Sequence, residues 1–224
     1  MAVDSGGPKQ RPFAVVLGCS DARVPIELIF DRACNELFVV RVAGNVLGQE
    51  QLGSIDYAVD HLGHNLKLLV ALGHSKCGAV TAAVDAFLRP TDYLGLLSSH
   101  HVRAIVNSLL PAVRGATRAL AIQWGEDVTR LHGYRAALIE VSVVLNAALT
   151  ASILRAEFGD PEKGLGIVFG VYDLGSRRVQ VPLVATDEAD AGVGLLEAPA
   201  SGDEFRQLAG RVVTSPLIRQ LLGV

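Results

Sequence analysis

Two short apolar runs, FAVVLGCSDARVP (Phe13 to Pro25) and LKLLVALGHSKCGAV (Leu66 to Val80), restrict the fold of this 224-residue chain more than any other feature. Each has the length of a strand and ends on polar residues. Parallel α/β sheets build their sites in this way, at the carboxyl ends of buried strands. Cys19 and Asp21 follow the first run, and His74 and Cys77 follow the second. Two thiols, an imidazole and a carboxylate make a complete tetrahedral donor set, and mixed sulfur and nitrogen ligation suits zinc best. Cys77 leads into the helix-like AVTAAVDAF, where the helix dipole and backbone amides favour its thiolate.

The rest of the chain supplies the other layers of such a fold. After a Gly-, Pro- and charge-rich arm (residues 1–12) come a strand at Phe13 to Leu17, a helix over Ile26 to Arg32, and a second buried strand at Leu37 to Val42. That strand ends in Gly44 and Asn45, residues that tolerate a sharp turn. Leu52, Ile55, Tyr57, Ala58, Val59 and Leu62 share one helical face between Gln51 and Leu62, closed by Gly63, and a third strand spans Leu66 to Leu72. Strand, helix, strand, helix, strand is the pattern of right-handed parallel crossovers.

Pro90 to Ser99 reads as a loop. His101 to Phe158 reads as helices broken near Gly115, Gly125 and Gly133. Leu165 to Leu174 is a fourth strand, and after the turn at Gly175 and Ser176 the alternating RVQVPL pairs back on it at the sheet edge. Residues 186–202 have the composition of a linker. Beyond them Phe205, Leu208, Ala209, Val212, Val213, Leu217, Ile218, Leu221 and Leu222 form an amphipathic stripe, with Ser215 and Pro216 able to restart a helix. The fold class is therefore α/β: a mostly parallel central sheet flanked by helices, with an antiparallel edge hairpin and a C-terminal helical extension. The chain divides into an arm (1–12), a metal-site domain (13–185) and a linker with amphipathic helices (186–224). The stripe is expected to dock on apolar surface of its own subunit or of a partner.

Charge and cysteine usage exclude some function classes. A formal charge of -3 without a basic cluster gives no footprint for nucleic acid. Three cysteines, two of them at metal-ligand spacing, point to a reducing, cytoplasmic setting rather than a disulfide framework. The apolar stretch Leu138 to Leu154 is interrupted by Glu140 and Asn146 and reads as a buried helix, so no direct membrane insertion is expected.

At the site itself, Cys19, His74 and Cys77 are three firm ligands, a catalytic design that leaves the fourth position to Asp21 or water. Asp21 and Arg23 are spaced to fork together; a paired Asp21 is held off the metal, and a released one can close the site. Cys34 has no partner at metal spacing and reads as structural. His61, His64, His100, His101 and His132 fall on helices or their ends, where a histidine is ordinarily solvated.

GCSDARVP, FVVRVAGN, DYAVDHLG and GHSKCGAV, in this order and spacing, resemble the β-class carbonic anhydrases. The resemblance implies reversible hydration of carbon dioxide to bicarbonate and a proton by metal-bound hydroxide. It implies zinc on Cys19, His74 and Cys77, with Asp21 and Arg23 as the dyad beside it. It further implies substrate contacts from Gln10, Phe38, Tyr57 and Gly78 in a cleft completed by a second subunit, hence a homodimer or higher homo-oligomer. The chain departs from the family at its arm, which is short, and at Val16, where some members carry the Trp of an inhibitory bicarbonate pocket; Arg41 and Tyr172 of that pocket remain. Two alternatives stay open: hydrolysis of carbon disulfide or carbonyl sulfide on the same scaffold, and a non-catalytic zinc-bearing regulatory domain of a larger, transporter-fused protein, which would be the soluble part of a membrane protein.

Overall fold

The computed structural model describes residues 9–95, 100–160, 164–182 and 194–224. Four parallel strands form its centre: β1 (Ala14–Gly18), β2 (Leu37–Arg41), β3 (Leu68–His74) and β4 (Gly166–Asp173). The sheet order is β2-β1-β3-β4-β5, with the short antiparallel strands β5 (Arg178–Gln180) and β6 (Leu196–Glu197) both pairing on β4. Gly18 lies opposite Arg41 on one side and Leu72 on the other, and His74 opposite Tyr172.

The connection from β1 to β2 runs one way along the sheet, through α1 (Ile26–Ile29), and the later connections run the other way. A right-handed crossover must change face when it changes direction, so α1 and the large helices cover opposite faces. Side chains alternate accordingly. Val16, Val70, Leu72 and Tyr172 pack with Val24 and Ile26 in a small cluster, while Val15, Leu69, Ala71 and Phe169 face the main core. That core is closed by α2 (Gln49–Leu62), α3 (Gly78–Leu88), α5 (His100–Trp124) and α6 (Tyr134–Phe158). Among the described residues α6 is the helix long and apolar enough to cross a membrane, but it is buried inside the molecule against β3, β4 and α5, as expected for Leu138 to Leu154.

Four expectations need correction. Pro90 to Gly95 is not loop but a short helix, α4, begun by the proline that suits a first helical turn; residues 96–99 lie outside the described residues. Gly115 does not break a helix, because α5 runs through it and through Pro111. The glycine instead allows close packing: a Cβ there would stand 3.6 Å from Leu145 and 3.9 Å from Phe205. The helix after Pro25 ends at Ile29, three residues before Arg32. Finally, the linker is not all linker. Leu196 and Glu197 form β6, and Gly170 of β4 leaves room for β5 and for the chain entering β6, since a Cβ at Gly170 would lie 2.8 Å from both Leu195 and Val179.

The amphipathic stripe folds as α7 (Gly202–Val213) and α8 (Pro216–Leu222), capped by Ser201 and Ser215. It docks on its own chain. Leu208, Ala209, Val212, Val213, Ile218 and Leu222 are buried in the main core, and the Trp124 indole N–H donates to Val213 O at 3.1 Å.

Candidate metal centre

β1 and β3 are neighbours whose following connections leave in opposite directions, which makes the gap between their carboxyl ends a topological switch point. Cys19 is the residue after β1, His74 ends β3, and Cys77 immediately precedes α3. Their ligand atoms lie within 4.8 Å of one another, and the three residues are 4%, 1% and 2% exposed. The turn between His74 and Cys77 is tight, with Lys76 in the left-handed region at φ 55°. Its N–H donates to Glu140 of α6 at 3.2 Å. Burial pushes the Glu140 carboxyl up, against that hydrogen bond.

The donors are arranged to receive a cation. His74 Nδ1 meets the carbonyl of Ser75 at 3.0 Å, so the ring proton sits on Nδ1 and Nε2 presents its lone pair. Nε2 is buried and has no hydrogen-bond partner among the described residues. A buried acceptor left unpaired costs roughly 1–3 kcal/mol, and a metal ion beside two sulfurs removes that cost. The two thiols are in contact: the hydrogen bond from Cys77 is the main cause pulling Cys19 down, against burial and helped by the Gly44 N–H, which reaches Cys19 Sγ at 3.3 Å. The same contact, together with burial, pushes Cys77 up, although the Val80 and Ala79 amides at the start of α3 work the other way. The residues fit zinc.

Asp21 is forked by Arg23, with Nε to Oδ1 at 2.9 Å and Nη2 to Oδ2 at 2.7 Å, and it also accepts from the Arg23 backbone N–H at 2.9 Å. Those bonds hold its carboxyl well below the usual range. Its Oδ2 is 3.8 Å from His74 Nε2, too far for a hydrogen bond. Arg41, which the sequence offered only as part of an anion pocket, is occupied with the loop itself: Nε donates to Cys19 O at 3.1 Å and Nη2 to Asp21 O at 2.7 Å.

The remaining sites are less gathered. Gln10 is exposed, and no hydrogen bond joins it to the ligands among the described residues. Its backbone is nevertheless pinned. Asn35 accepts from Arg11 N and donates to Lys9 O, each at 3.0 Å, bracketing Gln10. Phe38 of β2 and Tyr57 of α2 form a pair with ring centres 6.5 Å apart, and Tyr57, 49% exposed, also stacks on His61 at 4.6 Å. Gly78 opens α3 with free space where a Cβ would stand. Cys34 is exposed in the turn before β2 rather than built into the core.

The carbonic anhydrase family model matches residues 14–179. Carbonic anhydrase 2 of Mycobacterium tuberculosis is 47% identical over 104 residues, 46% of this chain and 47% of that one, so the match spans about half the length of either protein. Among solved structures, a Coccomyxa β-carbonic anhydrase in complex with acetazolamide superposes with a TM-score of 0.56 at 23% identity, covering 89% of this chain and 82% of that one. One of two tetrameric β-carbonic anhydrases from Sordaria macrospora gives 0.53 at 24% identity, covering 78% and 81%. These last two likenesses concern the fold.

Proposed function

Because the chain belongs to the β-carbonic anhydrase family, we propose that it interconverts carbon dioxide and bicarbonate, with zinc held by Cys19, His74 and Cys77. The observation that carries this reading is the buried, unpaired His74 Nε2 facing two thiols, beside a carboxylate already tied to an arginine. Bound there, zinc supplies the Lewis acidity that brings loss of a water proton toward the neutral range.

The chain's own residues divide the remaining work. The Ser75 carbonyl fixes the His74 ring, and Arg41 fixes the backbone of Cys19 and Asp21. Asp21, ionised and doubly bound by Arg23, is a weak base and a good hydrogen-bond acceptor. Its role is to orient a water's O–H at Oδ2, and the proton leaves through solvent or buffer. The Gly78 N–H, at the start of α3, is available to a substrate oxygen. Gln10, Phe38 and Tyr57 complete the cleft with a second copy of the chain, and the free thiols belong in a reducing, cytoplasmic compartment.

Metal analysis and stopped-flow hydration on parent and Asp21→Asn test the reading together. One zinc per subunit is expected, with carbon dioxide turned over far faster than carbonyl sulfide or carbon disulfide. The variant should keep its zinc while losing most of its activity. Zinc lost in proportion to activity would make Asp21 a permanent ligand; absence of zinc from the parent would sink the proposal.

A further inference from the structure

Helix α6 lies against the main core on nearly every side, and its middle is apolar except for a few polar groups. One of them is Asn146, 4% exposed. A buried amide is costly unless it bonds, and this one does: Asn146 Nδ2 donates to the carbonyl of Gly44 at 2.9 Å, across 102 positions of sequence. Gly44 stands in the turn after β2, in the left-handed region at φ 67°. Its own N–H donates to Cys19 Sγ at 3.3 Å. The same stretch of α6 touches the other ligand strand, since a Cβ on Gly73 would lie 3.4 Å from Ala147 and Val143. Asn146 is thus fixed by a helix that packs on β3, the strand that ends in His74, and on β4.

We infer that Asn146 is a positioning residue of the metal centre: by holding the Gly44 carbonyl it keeps the Gly44 N–H aimed at the sulfur of Cys19. The inference rests on the reading of Cys19 as a metal ligand. An N–H on a ligating thiolate withdraws part of the charge that the sulfur would give the metal, and so raises the acidity of a water at the open position. The glycine's φ admits other turns, and without the amide the N–H loses the anchor that selects this one. Ser142, one turn earlier on α6 and 0% exposed, has a hydroxyl with no hydrogen-bond partner among the described residues, which makes it a matched control.

The test uses isotopically labelled protein loaded with cadmium-113, whose spin couples to an amide proton across an N–H···S hydrogen bond. In the parent, coupling is expected from cadmium to the Gly44 amide and to the Cys19 Hβ protons. Asn146→Leu and Asn146→Ala, both checked for folding by circular dichroism, should lose the Gly44 coupling. Zinc affinity measured by chelator competition should fall about 10- to 100-fold, because the Cys19 sulfur is no longer held in its place by the anchored turn. Ser142→Ala should change neither. A role in packing alone would lower the melting temperature of the Asn146 variants and leave the coupling and the affinity as they are, which overturns the inference. So does absence of Gly44 coupling in a parent that shows Cys19 coupling, a measurement that needs no variant. Missing Cys19 coupling would mark failure of the metal reading itself.

Discussion

A single asparagine fixes the first of the described residues. Asn35, at φ 74°, offers its amide to Lys9 and Arg11 as a neighbouring strand would, and thereby holds the backbone on either side of Gln10, ahead of β1. Asn35→Ala should therefore loosen Gln10 while leaving zinc content unchanged. The expected outcome is a several-fold rise in KM with kcat little altered, read from hydration kinetics over a range of carbon dioxide concentrations. An unchanged KM would show that Gln10 takes no part in holding substrate. The candidate ligands Cys19, His74 and Cys77, which the structure brings together, were legible in the sequence because residue type carries their chemistry and each follows an apolar run. Asn35 and Asn146 were not, because they act on backbone atoms 24 and 102 positions away and leave no local pattern.

Among the elements, α3 and α6 are joined by one forked ion pair, Arg135 Nε and Nη2 on the two oxygens of Asp85, each at 2.7 Å. The Arg135 hydrogen bonds hold the Asp85 carboxyl below its ordinary value. A carboxyl lowered on folding adds stability above the unfolded value of about 3.9, and that stability is lost as pH falls through the folded value. Arg135 is 48% exposed, so solvent screening limits the pair to about 1 kcal/mol or less. Melting curves of Asp85→Asn and parent should differ at neutral pH and converge in acid; a gap that persists there would point to packing instead. The C-terminal helices depend on burial. Removing residues 203–224 should bare the faces of α5 and α6, lower the melting temperature and shift the emission of Trp124, the chain's one tryptophan, to the red. Unchanged emission and melting would mean that α7 and α8 do not hold this position in solution. Periodicity revealed α7 and α8, but it could not reveal β6, whose two residues are too few to show a period.

For the whole molecule, the two sides of the sheet are unequal. β2 ends it on one side with five residues and carries the Phe38 and Tyr57 pair nearby. If that side receives a second copy, Tyr57→Glu should lower the mass seen by sedimentation without unfolding the chain, because the residue is already 49% exposed. An unchanged mass would place any contact between copies elsewhere. The far side is blunted by the short β5, whose Val179 carbonyl is taken by the Gly194 N–H at 3.0 Å as the chain enters β6. A ladder with one end stopped can be extended only at the other. The chain segment from Gly194 to Glu197 therefore lies where an added strand would have to pair on that side, and β2 is left as the longer of the two edges.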